Sequence, residues 1–267
     1  MMRLLKIELL KLLPAKYFWI LMMIFLVIMI AIPVTTSLLS DWVVNSFLSN
    51  LGVEQIAVLF DFNDIWQNFT FVFQFFTVLL SSLVLINIAQ EFSLTTARQQ
   101  VIDGLSRKEF FKGKLIVMAS MALAVTIVAT ILCLVFGYLY SPVTDLGIVL
   151  KHIQFIPAYF LHLMHDFLFA MFIALLIRRT GIGVVILIFY GWLESIPEAI
   201  LRYGLEWEWF ANLLPNASTK ILIGNPFPKF LLQQTDVTLQ PTDILISVGY
   251  IGFWLVINRW LILKKDF

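Results

Sequence analysis

The chain has 267 residues, of which 61% are hydrophobic and 13% are charged, and its mean hydropathy is +0.93. Soluble domains are ordinarily about 45–50% apolar and about 25% charged, so the composition excludes a soluble globular protein and predicts a membrane protein. The formal net charge of +1 argues by itself neither for nor against nucleic-acid binding, and the single cysteine, Cys133, excludes an internal disulfide.

The N-terminal segment predicts an amphipathic helix that lies along the membrane surface. Its stripe of leucines at helical spacing comprises Leu5, Leu9, Leu12 and Leu13. The charged residues expected on its other faces are Arg3, Lys6, Glu8 and Lys11. Pro14 should end this helix, so that the chain turns into the membrane near Lys16. No small-x-small cleavage site follows before Thr35, which favours a retained helix over a cleaved signal; a purely topological role for the basic residues is the alternative.

Hydropathy predicts an all-α, polytopic membrane protein whose single transmembrane domain covers residues 1–267. Each crossing needs roughly 20 apolar residues, and the sequence offers six such stretches. The predicted spans are residues 17–38, 69–90, 115–140, 155–177, 182–203 and 243–263. An even number of crossings places both termini on the same side.

Charged residues indicate which side that is. Lysine and arginine concentrate at residues 3–16, 98–114, 178–179 and 259–265, which the positive-inside rule assigns to the cytoplasm. The opposite loops carry acidic residues, namely Asp41, Glu54, Asp61, Asp64, Asp145, Glu206, Glu208 and Asp236. Both patterns predict cytoplasmic termini.

Residues 91–114, the long cytoplasmic connection between the second and third predicted spans, are expected to be ordered. Residues 95–103 predict a short helix that ends at Gly104, because glycine readily adopts the left-handed conformation that closes a helix. Ser106 and Glu109 then form an S-x-x-E capping box at the start of the next helix. The connection is therefore predicted to be a helix, a tight turn and a second helix that enters the membrane.

The fourth predicted span contains His162, His165 and Asp166. Ionisable groups near the middle of a membrane are costly and suggest function. With a carboxylate from Glu194 or Glu198 of the next span they could hold a metal ion, which makes an intramembrane metal-dependent enzyme one alternative. Hydrogen bonding between helices, a substrate pathway and a proton-sensitive element are the other interpretations of this group, to which Glu194 also belongs.

Motifs for nucleotide or cofactor binding are lacking in the sequence. A phosphate-binding loop has the pattern G-x-x-x-x-G-K-[ST], and the nearest pair, Gly113-Lys114, lacks both the earlier glycine and the hydroxyl residue. The chain is therefore expected to hold no cofactor and not to be an enzyme, so that any dependence on ATP requires a partner. The acidic residues that interleave with the basic ones in residues 91–114 favour a protein contact over nucleic acid; they are Glu91, Asp103 and Glu109.

The order of these parts resembles the ABC-2 type permeases, the membrane subunits of one class of ABC transporter. The likeness consists of the basic amphipathic start, the six spans and the loop E-F-S-L-T-T-A-R-Q-Q-V-I-D-G-L-S-R-K-E-F at residues 91–110. In that family an acidic residue ends the second span, and T-x-R and G-x-S-R elements precede the third helix. The corresponding residues here are Glu91, Thr96 with Arg98, and Gly104 with Ser106 and Arg107.

The resemblance implies that two permease chains, identical or paralogous, pair around a central pathway in the prokaryotic plasma membrane. Each chain would dock on a separate cytoplasmic ABC ATPase, which binds ATP and Mg and drives transport, with export favoured. The residues implied in ATPase coupling are Glu91, Thr96, Arg98, Asp103, Gly104, Ser106, Arg107 and Lys108, of which the basic ones would contact acidic groups of the ATPase. A membrane scaffold of a larger machine is a further alternative.

Overall fold

Helices joined by short turns make up the computed structural model, which describes residues 2–43, 60–226 and 239–264. In chain order they are α1 (Met2–Leu12), α2 (Lys16–Val43), α3 (Ile65–Gln74), α4 (Thr77–Ser93), α5 (Thr96–Ile102), α6 (Arg107–Tyr140), α7 (Leu146–Val149), α8 (Phe155–Ile177), α9 (Thr180–Ala199), α10 (Glu208–Asn212), α11 (Pro215–Lys220) and α12 (Pro241–Lys264). A π-helical turn, Ile200–Gly204, extends α9, and a 3₁₀ turn, Ile221–Ile223, follows α11. The all-helical class is confirmed for the described residues.

Five of the described helices are long and apolar enough to cross a membrane, which indicates a multi-pass membrane protein. They are Lys16–Leu38 of α2, α6, α8, α9 with its π-helical turn, and α12. These helices coincide with the predicted spans 17–38, 115–140, 155–177, 182–203 and 243–263. The bent pair formed by α3 and α4 makes a sixth only if it is counted as one span.

The second predicted span, residues 69–90, is not one continuous helix, because α3 and α4 meet at an angle of 44°. At the break, the amide of Phe75 donates to Val72 O at 3.3 Å and the amide of Phe76 donates to Phe73 O at 3.1 Å. Each of these bonds joins an amide to the carbonyl three residues earlier, as in a 3₁₀ turn. They replace the α-helical bonds to the carbonyl four residues earlier. Hydropathy did not indicate the break because the residues that form it are apolar.

The centre of the bundle is α8. In the most apolar stretch of α8, 61% of the residues are buried, whereas in the most apolar stretch of α9 only 11% are buried. It packs most extensively against α4 and α12. The weakly buried helices α2 and α9 present apolar side chains outwards, as expected for helices in contact with lipid.

Basic segments from four parts of the chain meet at one end of the bundle, which we term the basic end. The guanidinium of Arg178, at the end of α8, lies 5.3 Å from the ring centre of Phe92 in α4. Arg107, at the start of α6, donates from Nη1 to the carbonyl oxygen of Leu263 in α12 at 2.8 Å. The helix α1 packs on the first turns of α6 at the same end.

Acidic residues from the predicted outer loops lie at the opposite end, near the end of α6. The hydroxyl of Ser141 donates to Asp61 Oδ1 at 3.1 Å, and Asp145 immediately precedes α7. Two further acidic residues of the predicted outer loops, Glu54 and Asp236, lie outside the described residues, as does the side chain of Asp41.

At this opposite end, Gly137 allows the ring of Phe62 to pack directly on α6. A Cβ atom on Gly137 would lie 2.5 Å and 2.6 Å from two ring carbons of Phe62, whose side chain is fully buried. Because Gly137 has no side chain, the turn before α3 can approach α6 closely enough for this contact.

We expect Gly137→Ala to lower the free energy of unfolding by about 1–3 kcal/mol, because overpacking a buried contact forces neighbouring groups to shift. Thermal denaturation of the purified chain in detergent would measure the loss. Gly252→Ala in α12 is the control, since no heavy atom lies within 4 Å of the position of its new methyl group. Equal melting temperatures for the two variants would contradict the proposed packing role of Gly137.

Candidate functional site

The connection between α4 and α6 has the predicted helix-turn-helix structure. The helix α5, Thr96–Ile102, lies within one residue at each end of the predicted range 95–103. Gly104 has φ of +101°, and the amides of Gly104 and Leu105 donate to Val101 O at 3.2 Å and Gln100 O at 3.0 Å. This pattern is a Schellman motif, which satisfies the last carbonyl groups of a helix.

The predicted capping box at the start of α6 is confirmed. The amide of Glu109 donates to Ser106 Oγ at 3.3 Å, and the amide of Ser106 donates to Glu109 Oε2 at 3.0 Å. Because both amides at the helix start are satisfied, the turn between α5 and α6 has a defined geometry. The connection is thus a short rigid element rather than a linker.

The outward surface of α5 combines apolar and basic side chains. Leu94, just before the helix, and Ile102, at its end, are each 67% exposed, and Arg98 between them is also exposed. Ala97 faces inwards and is buried. The helix therefore presents two apolar side chains and a cation away from the bundle.

Beside α5 lies a group of charged and amide side chains that we term the ion cluster, consisting of Glu8, Lys11, Asn87, Glu91, Gln100 and Lys114. Lys11 and Gln100 are partly buried, and the other members are buried. Lys114, in α6, is only 1% exposed. Its ammonium donates to Glu8 Oε2 at 2.5 Å, Glu91 Oε1 at 2.7 Å and Asn87 Oδ1 at 3.1 Å. An ammonium group has three donors and no acceptor, so each of its donors has a partner.

Lys11 completes the ion cluster from α1. Its ammonium donates to Glu8 Oε1 at 2.6 Å, Glu91 Oε1 at 3.2 Å and Gln100 Oε1 at 2.9 Å. The two ammonium groups balance the two carboxylates, so the ion cluster carries no net charge when all four are ionised. Its members come from α1, α4, α5 and α6, and it therefore joins these helices.

The position of Glu8 corrects the sequence-based expectation, which placed it on an outer face of α1. Glu8 is buried, and its spacing from Leu5 and Leu12 puts it on the same inward stripe as those leucines. Burial raises the pKa of Glu8, but the charges of Lys114 and Lys11 outweigh that effect and hold this pKa below its usual 4.5. Glu8 is therefore ionised at neutral pH.

The Gly113-Lys114 pair, which came nearest to a phosphate-binding motif, has a structural role in this fold. A Cβ atom on Gly113 would lie 3.5 Å from Glu8 Cγ and 3.9 Å from Leu4 Cβ. These are ordinary van der Waals distances, so Gly113 lies where α1 packs on α6 but a methyl group would also fit there. The bond from Lys114 to Glu8 attaches the amphipathic helix to the bundle.

The structure separates the predicted coupling residues into two groups. The exposed ones are Thr96, Arg98, Asp103, Gly104, Ser106 and Lys108. Glu91 is instead buried in the ion cluster, and Arg107 binds the carbonyl of Leu263. Lys11 and Lys114 were predicted only as a surface charge and as part of an incomplete phosphate-binding pattern, and Gln100 was not predicted as a site residue. The signal for a buried partner was the position of Lys114 directly before an apolar span.

The polar groups of α8 bond to one another and to neighbouring helices. Asp166 Oδ2 accepts from Thr77 Oγ1 at 2.7 Å and lies 3.3 Å from His162 Nε2, and its Oδ1 lies 3.4 Å from His165 Nδ1. The indole of Trp254 donates to His165 Nε2 at 3.1 Å. Since that nitrogen accepts, the proton of a neutral His165 is on Nδ1 and points at Asp166. The group thus connects α8 with α4 and α12.

The carboxylates of α9 have other partners. Glu194 Oε1 accepts from the backbone amides of Asn216 at 2.7 Å and Ala217 at 3.0 Å. Glu198 lies 3.4 Å from Arg202 and 3.8 Å from Lys220. Among the described residues, no group of three or more His, Cys, Asp or Glu side chains is arranged to hold a metal ion.

A cavity of about 610 Å³ adjoins the polar groups of α8. We term it the polar cavity; α3, α4, α8, α9 and α11 contribute to its wall. Its polar lining includes Thr77, His162, His165 and Asp166, and the rest is largely aromatic and aliphatic. The described residues therefore contain two candidate sites, the ion cluster with α5 at the basic end and the polar cavity beside α8.

We expect Lys114→Met to destabilise the protein by about 3–5 kcal/mol, because it leaves buried carboxylates without their main counter-charge. The double variant Lys114→Met with Glu91→Gln removes one charge of each sign, so it should recover part of this loss. Lys112→Met, two residues away and exposed, is the control and should behave as the unaltered protein. Thermal unfolding in detergent measures all three, and equal stability of Lys114→Met and Lys112→Met would refute the role of the ion cluster.

Comparison with known proteins adds no relative from which a function could be transferred. The chain matches no protein-family model and no curated protein sequence. The observations that bear on function are therefore the anchored α5 element, the ion cluster beneath it and the polar cavity.

Proposed function

We propose that this chain is the membrane permease subunit of an ABC transporter, driven by a separate cytoplasmic ATPase and acting in export. In this proposal α3 and α4 together form one crossing, which makes six, and both termini lie in the cytoplasm of a prokaryotic cell. Two permease chains, identical or paralogous, form the substrate pathway in the plasma membrane. The partner ATPase binds ATP and Mg.

One observation carries the proposal: α5 is an exposed helix with a defined turn after it, and the bond from Lys11 to Gln100 ties it to the ion cluster. An ATPase that closes on ATP can move membrane helices only through contacts that resist deformation. The bonds from Lys11 to Gln100 and to Glu91 connect α5 and α4 with α1. A displacement of α5 should therefore move α1, α4 and α6 together and change which side of the membrane the pathway faces.

Charge distribution supports the proposed orientation. The basic end contains α1, α5 and the Arg178–Arg179 turn, and the positive-inside rule assigns such a surface to the cytoplasm. Leu10 of α1 and Trp19 of α2 are exposed, and the Trp19 indole donates to the carbonyl oxygen of Leu13, directly after α1, at 2.8 Å. Such side chains suit a helix that lies at the membrane interface.

We expect the double variant Leu94→Ser with Ile102→Ser to lose most of its bound ATPase, because apolar anchor residues contribute most of the affinity of an interface. The measurement is a mild-detergent pull-down of the tagged chain, with mass spectrometry and an ATPase assay of the complex. The control is Leu139→Ser with Leu146→Ser, since those leucines are each 68% exposed at the opposite end.

Equal ATPase recovery by these two double variants would refute docking through α5. A chain that purifies without any nucleotide-binding protein would refute the transporter proposal itself. A bound ATPase without ATP-dependent change in the membrane domain would favour the scaffold alternative.

We further expect that Gly104→Val leaves the ATPase bound but that ATP no longer changes the conformation of the membrane domain. No atom lies within 4 Å of the new Cβ, but φ at this residue is +101°. A left-handed conformation costs an L-residue roughly 1–2 kcal/mol, so the turn should adopt another geometry.

The readout for Gly104→Val is a fluorophore on Ser195→Cys, which lines the polar cavity and is exposed; the native Cys133 is buried. ATP should change this fluorescence in the coupled complex, and the change should be lost in Gly104→Val. Gly181→Val is the control, since it also has open space but no positive φ. An unchanged ATP response in Gly104→Val would contradict the coupling role of this turn.

A further inference from the structure

We propose that the polar cavity binds monovalent organic cations that have an aromatic or alkyl body, an inference that rests on the proposed function and names its substrate class. The negative charge of Asp166 and the aromatic walls of the cavity, all in residues that the structure describes, support this substrate class.

Asp166 supplies a negative charge to the cavity. Its side chain is 19% exposed, so the carboxylate remains accessible from the cavity. Its bonding partners are the hydroxyl of Thr77 and two imidazoles. The bond from Trp254 leaves His165 neutral in this arrangement. Hydrogen bonds thus orient the carboxylate without a fixed cation beside it.

Lys220 is the other charged residue in the described lining. Its ammonium lies 3.8 Å from Glu198 Oε2, a carboxylate that also lies 3.4 Å from Arg202. Lys220 therefore stands among charges of both signs, whereas no lysine or arginine is among the bonding partners of Asp166. A cation bound beside Asp166 would meet this negative charge directly.

Aromatic side chains form much of the remaining wall. Phe71, Phe75, Phe169, Tyr190 and Trp192 all line the cavity. Aromatic faces attract cations and also accept apolar groups. Ligand cavities are typically about 300–1,000 Å³, and a volume of about 610 Å³ is suited to an amphipathic molecule of drug size.

The test measures binding of tetraphenylphosphonium to the purified full chain in lipid nanodiscs. We expect saturable binding that tetraphenylborate, an anion of nearly the same shape, does not displace. Asp166→Asn should weaken binding by roughly tenfold or more, because a charge contact in a low-dielectric site is lost. Asp145→Asn, which alters an exposed carboxylate outside the cavity, should bind as the unaltered chain does.

Trp192→Leu keeps the proposal testable if Asp166→Asn does not fold, since Trp192 is exposed and its loss leaves the core intact. This variant should bind tetraphenylphosphonium several-fold more weakly, through loss of a cation–π contact. The proposal is overturned if the unaltered chain shows no saturable binding, if tetraphenylborate competes equally, or if a folded Asp166→Asn binds normally.

The binding measurement needs no ATPase, so it separates this inference from the proposed function. A chain that recovers its ATPase but does not bind the cation would overturn the substrate class alone. A chain that binds the cation through Asp166 but has no ATPase partner would overturn the ABC transporter proposal alone.

Discussion

The buried ammonium of Lys114 is the constraint on which the basic end of the bundle depends. A charge taken out of water is tolerated only when it is paired and hydrogen-bonded, and here its three donors are met by Glu8, Glu91 and Asn87. Moving Glu8 or Glu91 away would take a counter-charge from this buried ammonium, and moving Asn87 away would leave one of its donors without an acceptor. The helices α1, α4 and α6 must therefore keep their relative positions, and α5 follows through the bond between Lys11 and Gln100.

The helix α4 connects this constraint with the polar cavity. Glu91 of the ion cluster lies near its end, and Thr77, which bonds to Asp166, is its first residue. A helix of 17 residues at about 1.5 Å per residue spans roughly 25 Å. The proposed transport cycle uses this helix as a rigid link: a displacement at α5 would reach the cavity wall at the break between α3 and α4, where the chain can change its angle.

Sequence patterns predicted what depends on near neighbours. The capping box of Ser106 and Glu109 and the glycine turn at Gly104 were both found in the structure, because each is set by residues within about four positions of one another. Hydropathy did not reveal the break at Phe75 and Phe76, because these residues are as apolar as those of an unbroken transmembrane helix. The prediction placed Glu8 on an outer face of α1 because charged side chains are usually exposed. Its spacing from Leu5 and Leu12 nevertheless puts it on the inward face.

The sequence by itself determined the helical class, the positions of five apolar helices and the helix-turn-helix at residues 95–109, since composition, apolar periodicity and capping chemistry act locally along the chain. Only the tertiary structure decided the partners of the buried charges. Lys114 meets Glu8 across 106 positions, and Trp254 meets His165 across 89. Such pairs form because particular helix faces pack together, and no local pattern specifies which faces those are.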